Sequence, residues 1–158
     1  MGTNPAVYGT MPRFRTKQLR LTYAALTLPF LILQGWSALQ YLGESARMTG
    51  ILMTLGYPLY VMKILAVAKL LGIAAIAIGS FATLKEWAYA GFVFEACGAL
   101  ASHLCAGDSL TIAPLPVISL TLGLVSFLLW KQLLRQLALR RRHYEFGVPP
   151  RDTVETHA

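Results

Sequence analysis

A lysine and a glutamate stand in the middle of stretches otherwise built to cross a membrane. Lys69 lies inside VMKILAVAKLLGIAAIAIG and Glu95 inside WAYAGFVFEACGALASHL. A charge at the bilayer centre costs about 2.5–3.5 kcal/mol on insertion scales, so such residues turn towards the protein interior and find partners. These two come from neighbouring antiparallel segments and fall within a turn or two of the same depth. As an ion pair they compensate each other, and loss of one strands the other. In a setting poor in water, the same pair is what general acid–base chemistry or a proton relay requires. A polar lock that fixes the register of a bundle accounts for them equally well.

Other polar residues fall into two groups. Tyr23, Thr27, Gln34 and Tyr41 in the first apolar segment are separated by four or seven residues, so they share one helix face. In lipid such a stripe turns inward, for hydrogen bonds between helices or for the wall of a ligand cavity. His103 and Asp108, in ASHLCAGD, mark the end of the third segment. Ser102 falls within about 20° of Glu95 around a helix and His103 about 80° away. A line Glu95–Ser102–His103–Asp108 would then lead from mid-membrane to the outer surface. Capping explains the same residues, with His103 near the negative end of the helix dipole and Gly107 at the C-cap. One histidine and one aspartate are too few to argue for a metal.

Cys97 and Cys105 are eight residues apart, about 12 Å along a helix and too far for a disulfide. They read as small apolar core residues. Lys85, Glu86, Trp87 and Tyr89 read as an interfacial anchor at the start of the third span. Gly98, Ser102 and Ala106, like Ala68 and Gly72, have the four-residue spacing that permits close helix approach. The chain carries no Gly-rich phosphate loop, nucleophile elbow, HExxH or paired-histidine haem pattern.

The elements that must position these residues are helices in a membrane. Hydrophobic residues make up 56% of the 158 and charged ones 13%. A spanning helix needs about 20 largely apolar residues; segments 21–42, 58–79, 87–106 and 113–134 qualify. Runs this continuous satisfy their backbone only as helices. The expected fold is all-α, a four-helix transmembrane bundle over 21–134. Pro29 is expected to kink the first helix, and ESARMTGILMTLGY is long enough for a short interfacial helix.

The net charge of +7 is concentrated at the ends of the chain. Arg13, Arg15, Lys17 and Arg20 precede the first span; Lys131, Arg135, Arg140, Arg141 and Arg142 follow the last. Basic residues near span ends mark cytoplasmic segments. Both termini are thus expected in the cytoplasm: a basic segment, 1–20, and a basic, partly disordered tail, 135–158. No cleavable signal peptide is evident, and the first apolar run reads as a helix that stays. The tail meets anionic headgroups rather than nucleic acid.

The run from Gly56 to Asp108 resembles the DoxX-like family of small four-helix membrane proteins. The stretches that carry the resemblance are GYPLYVMKILAVAKLLG and LKEWAYAGFVFEACGALASHLCAGD. It implies a bundle in a bacterial cytoplasmic membrane. The wider DoxX and DoxD group is associated with membrane redox systems, including thiosulfate:quinone oxidoreductase and oxidative-stress complexes. An accessory or quinone-associated component of such a system is therefore the first reading. Gln34, Lys69 and Glu95 would hold a quinone head, electrons coming from a membrane or peripheral oxidoreductase partner because no cofactor is encoded. A non-catalytic scaffold is the second reading. The third is an intramembrane enzyme acting on a lipid or isoprenoid, with Glu95 moving a proton and Lys69, His103 or Asp108 assisting. Besides the lipid bilayer and an oxidoreductase, a second copy of the chain is a candidate partner.

Overall fold

The computed structural model describes residues 13–79, 81–107 and 114–145. The first twelve residues of the basic N-terminal segment, the tail from 146 and Asp108 lie outside the described residues. Five helices follow in order: α1 (Arg13–Leu42), α2 (Ala46–Thr54), α3 (Tyr60–Ile78), α4 (Ala82–Cys105) and α5 (Pro114–Glu145). Four of them are long and apolar enough to cross a membrane, over Thr16–Leu42, Tyr60–Ile78, Ala82–Cys105 and Pro114–Leu139. The protein is an all-helical, multi-pass membrane bundle. α2 is the short helix expected between the first two spans.

The helices outlast their apolar runs. α1 begins at Arg13 and α5 runs on to Glu145, because Arg, Lys, Gln and Leu are good helix formers and the backbone continues where hydropathy stops. α1 passes through Pro29 as one helix. The turns are set by local chemistry. Ser45 caps α2, its side chain accepting from the Met48 N–H. Gly79 ends α3 at φ 62°, a left-handed conformation that costs glycine nothing. Only residues 79–81 separate Ile78 from Ala82, so α3 and α4 must run antiparallel, and they form the closest helix pair.

The chain forms two compact units. One comprises the described residues from 24 to 127; the other comprises the described residues up to Tyr23 and from Leu128. In the second, Thr16 and Trp130 are buried, and the Lys131 ammonium lies 5.7 Å over the Trp130 ring. The unit of residues 24–127 carries the candidate site. Its buried positions repeat at helical spacing: Thr27, Phe30, Gln34 and Ala38 on α1, Met62, Ala66, Lys69 and Ile76 on α3, Lys85, Tyr89, Phe92 and Ala96 on α4. The opposite faces carry exposed Leu, Ile, Phe and Trp, which suits helices solvated by lipid. Several core positions are polar, and those define the site.

Candidate functional site: a charged line across four helices

Lys69 is delivered to the core by the three-and-four spacing of α3, between Ala66 and Ile76. Its side chain is 5% exposed, and its three N–H groups have three destinations. Nζ donates to Glu95 Oε1 at 2.6 Å and to Gln34 Oε1 at 2.7 Å. It also lies 5.7 Å from the centre of the Tyr41 ring, within cation–π range. A lysine only donates, so Gln34 must present its oxygen to it. That leaves the Gln34 amide N–H to donate to Ser119 Oγ, at 3.0 Å. The line Ser119–Gln34–Lys69–Glu95 takes one residue from each spanning helix.

Glu95 sits at the edge of the buried face of α4, next to Ala96, and keeps 21% of its side chain exposed. It borders a groove of about 260 Å³ between α3 and α4. Leu65, Ala68, Gly72 and Ala75 line one wall; Leu84, Trp87, Ala88 and Gly91 line the other. Lys69 and Glu95 are the only charged residues there. The groove is therefore apolar along its length and charged at one place, where the more exposed of the two charges is a carboxylate, a hydrogen-bond acceptor.

A second polar group lies one heptad away. Ser126, fully buried, is hydrogen-bonded to Thr27 at 2.6 Å and to Tyr89 at 2.7 Å. Between the two groups sits an aromatic plug: Phe30 and Phe92 meet edge to face with centroids 5.3 Å apart. Two glycines make room for it. A Cβ on Gly72 would stand 2.8 Å from the Phe92 ring, and one on Gly123 would stand 3.2 Å from Phe30. Gly72 thus does bring α3 and α4 together, the role its spacing suggests.

Of the residues marked by the sequence, the structure brings Gln34, Lys69 and Glu95 into direct contact. His103 is half-buried, eight residues along α4 and about 12 Å of helix rise from Glu95. Ser102 turns to a different neighbour: it is hydrogen-bonded to Tyr57 at 2.7 Å and donates to the Gly98 carbonyl. With Gly98 and Ala106 it lines a separate hollow beside the α2–α3 turn, and a Cβ at Gly98 would meet nothing within 4 Å. That stripe is not a helix contact. Cys97 and Cys105 are free and exposed, not core residues; Cys97 lies on the outward face of α4, and Cys105, its last residue, lines the hollow beside the α2–α3 turn.

The interfacial anchor also divides. Trp87 is outward and 75% exposed, whereas Lys85 and Tyr89, two residues before and two after it, are buried. Tyr89, Ser119 and Ser126 complete these polar groups, and composition does not mark them for it. A signal does exist for the two serines. Thr27 and Gln34 are seven apart on α1, and Ser119 and Ser126 are seven apart on α5. On antiparallel helices matched heptad spacings come into register, which pairs Thr27 with Ser126 and Gln34 with Ser119.

Residues 22–126 match the model of the DoxX-like family. That stretch spans the charged line, the hydroxyl group beneath it and the groove. No curated protein and no solved structure matches the chain.

Proposed function

The chain belongs to the DoxX-like family of integral membrane proteins, and from that premise we propose that it serves a membrane redox system by binding a quinol at the Lys69–Glu95 pair. The observation that carries this reading is the partly exposed Glu95 carboxylate in an otherwise apolar groove. A groove of about 260 Å³ is at the small end for an organic ligand, so it suits one ring and not a large polar molecule. An acceptor at the polar point of the groove selects a ligand that offers a hydroxyl. Apolar walls open to lipid select one that already resides in the bilayer.

When bound, a quinol supplies two electrons and two protons, the electrons passing to a partner oxidoreductase. The chain's own residues handle the hydrogen bond and the proton. Glu95 accepts the hydroxyl hydrogen bond and is the first base in reach of it. Lys69 holds the carboxylate at 2.6 Å and keeps it aimed into the groove. Gln34, fixed between Lys69 and Ser119, holds the ammonium in place. The bacterial cytoplasmic membrane, with both termini inside, is the setting this reading assigns.

The test is thermal unfolding of the protein in lipid nanodiscs containing a short-chain quinol under reducing conditions. A ligand that binds only the folded state at a hundred times its Kd stabilises by about 2.7 kcal/mol. A saturable rise in Tm for the native chain, weakened tenfold or more in Glu95→Gln, is the expected result. A rise that never saturates, or one equal in both proteins, would show simple partitioning into lipid and end the proposal.

A further inference from the structure

Three layers stack through the unit of residues 24–127, and only the first and last are polar. The charged line Ser119–Gln34–Lys69–Glu95 is one of these. The hydroxyl row Thr27–Ser126–Tyr89 is the other. Thr27 and Gln34 stand seven residues apart on α1, so about 10 Å of helix separates the two. The layer between them takes one residue from each spanning helix: Phe30 from α1, Gly72 from α3, Phe92 from α4 and Gly123 from α5. Phe30 also stacks on the Tyr89 ring, centroids 6.3 Å apart, so the plug begins where the hydroxyl row ends.

The hydroxyl row has the property that proton transfer needs. Ser126 is fully buried, and in each of its two hydrogen bonds either oxygen can be the donor. A hydroxyl carries one proton and two lone pairs, so the row can point either way. A proton taken up by the oxygen at one end is matched by one released at the other. Each O–H bond broken is replaced by one formed, and rotation of the hydroxyls restores the row. Lys85 connects the Tyr89 end to the α3–α4 turn. It lies one helical turn before Tyr89 and interacts with it electrostatically, and its ammonium is 3.6 Å from the place of a Cβ on Gly79. The row therefore leads from that turn towards Glu95, and it stops at two phenyl rings.

We infer that the Thr27–Ser126–Tyr89 row is a proton route to Glu95, and that the Phe30–Phe92 pair is the barrier that closes it. This goes beyond the quinol reading, since such a route serves Glu95 whatever ligand meets it. Hydrocarbon stops a proton because a charge taken out of water is expensive, and rings packed this tightly leave no room for a water chain. The two glycines keep the rings in place: a Cβ on Gly72 would stand 2.8 Å from Phe92, and one on Gly123 would stand 3.2 Å from Phe30. Opening takes the displacement of one ring, after which water in the vacated space joins Thr27 to Gln34. When Glu95 takes the proton, Gln34 and the Tyr41 ring still hold the Lys69 ammonium.

The test uses no quinol, so its failure leaves the quinol site standing. The full chain is reconstituted in liposomes holding a trapped pH dye, and a potassium gradient with valinomycin draws protons inward. The native chain should hold protons out as well as protein-free liposomes do. Phe92→Ala should admit them at least about tenfold faster, which takes only a small part off the barrier. A larger trapped dye, calcein, should stay inside. Phe92→Ala with Ser126→Ala breaks the row beside the opening and should return the rate to near that of the native chain. Phe30→Ala opens the same layer from α1 and replaces Phe92→Ala if that variant does not fold. An opened variant as tight as the native chain, a leak that Ser126→Ala leaves unchanged, or loss of calcein along with proton entry would each overturn the route. A native chain that already leaks would overturn the barrier.

Discussion

At the scale of single residues, the energetics of Lys69 decide whether it is a lock or a site. A buried ion pair is expensive to break and cheap to replace whole. Removing one partner costs about 3–5 kcal/mol, whereas exchanging both for apolar residues of similar size is often neutral. Lys69→Met should therefore lose about 3–5 kcal/mol on that argument, since it strands Glu95 and leaves the Gln34 oxygen without its donor. Lys69→Met with Glu95→Leu should recover most of the loss in the same unfolding experiment. What it should not recover is quinol binding. A double variant that is stable and still binds would mean that the pair only fixes helix register. Lys69 and Glu95 are legible in the sequence because a charge in hydrocarbon always needs an explanation. Tyr89 is not, because a tyrosine near a span end satisfies the interface rule as well as the core, and only burial against Ser126 decides.

At the scale of helices, the apolar runs show where the spans lie, and Gly79 and Ser45 show where turns form. The direction of each face is less legible, because lipid and core are both apolar and hydropathy cannot tell them apart. Cys97 reads as core and faces outward; Gly98 reads as a helix contact and meets nothing. The polar residues resolve the ambiguity, since each must turn inward. Two heptad-matched pairs tie α1 to α5, and Ser126 stands at the centre of the lower one, with both Thr27 and Tyr89 on its hydroxyl. Ser126→Ala leaves two buried hydroxyls without that partner, each costing about 1–3 kcal/mol if it finds no other. Thr27→Val with Ser126→Ala also removes the Thr27 hydroxyl and should be less destabilised than Ser126→Ala alone. A double variant less stable than the single would show that Thr27 and Ser126 act independently, and the pairing of α1 with α5 would have to rest on Gln34 and Ser119 alone.

At the scale of the whole molecule, the distribution of charge assigns an orientation that the helices by themselves do not carry. Basic residues flank the start of α1 and the end of α5, whereas the link that holds α2 carries Glu44 and Arg47, and Glu44 pairs with Lys63 at the start of α3 at 2.9 Å. An exposed pair of that kind adds little stability, well under about 1 kcal/mol, and the link has little net charge to set against the basic ends. With four spans and both ends basic, the orientation we propose puts the termini on the cytoplasmic side and the C-terminal end of α4 on the opposite one. The two cysteines supply a built-in test. Cys105 is the last residue of α4 and Cys97 lies more than two turns inside it, both exposed. In intact cells a membrane-impermeant maleimide should label Cys105 in a Cys97→Ala chain. In a Cys105→Ala chain, Cys97 should react only with a lipid-soluble maleimide, because thiolate chemistry needs water and its position faces hydrocarbon. Labelling of Cys105 only after the cells are opened would place that end of α4 inside and reverse the orientation. The proposed quinol site would then keep its residues, and the oxidoreductase proposed to receive the electrons would have to dock on the other face.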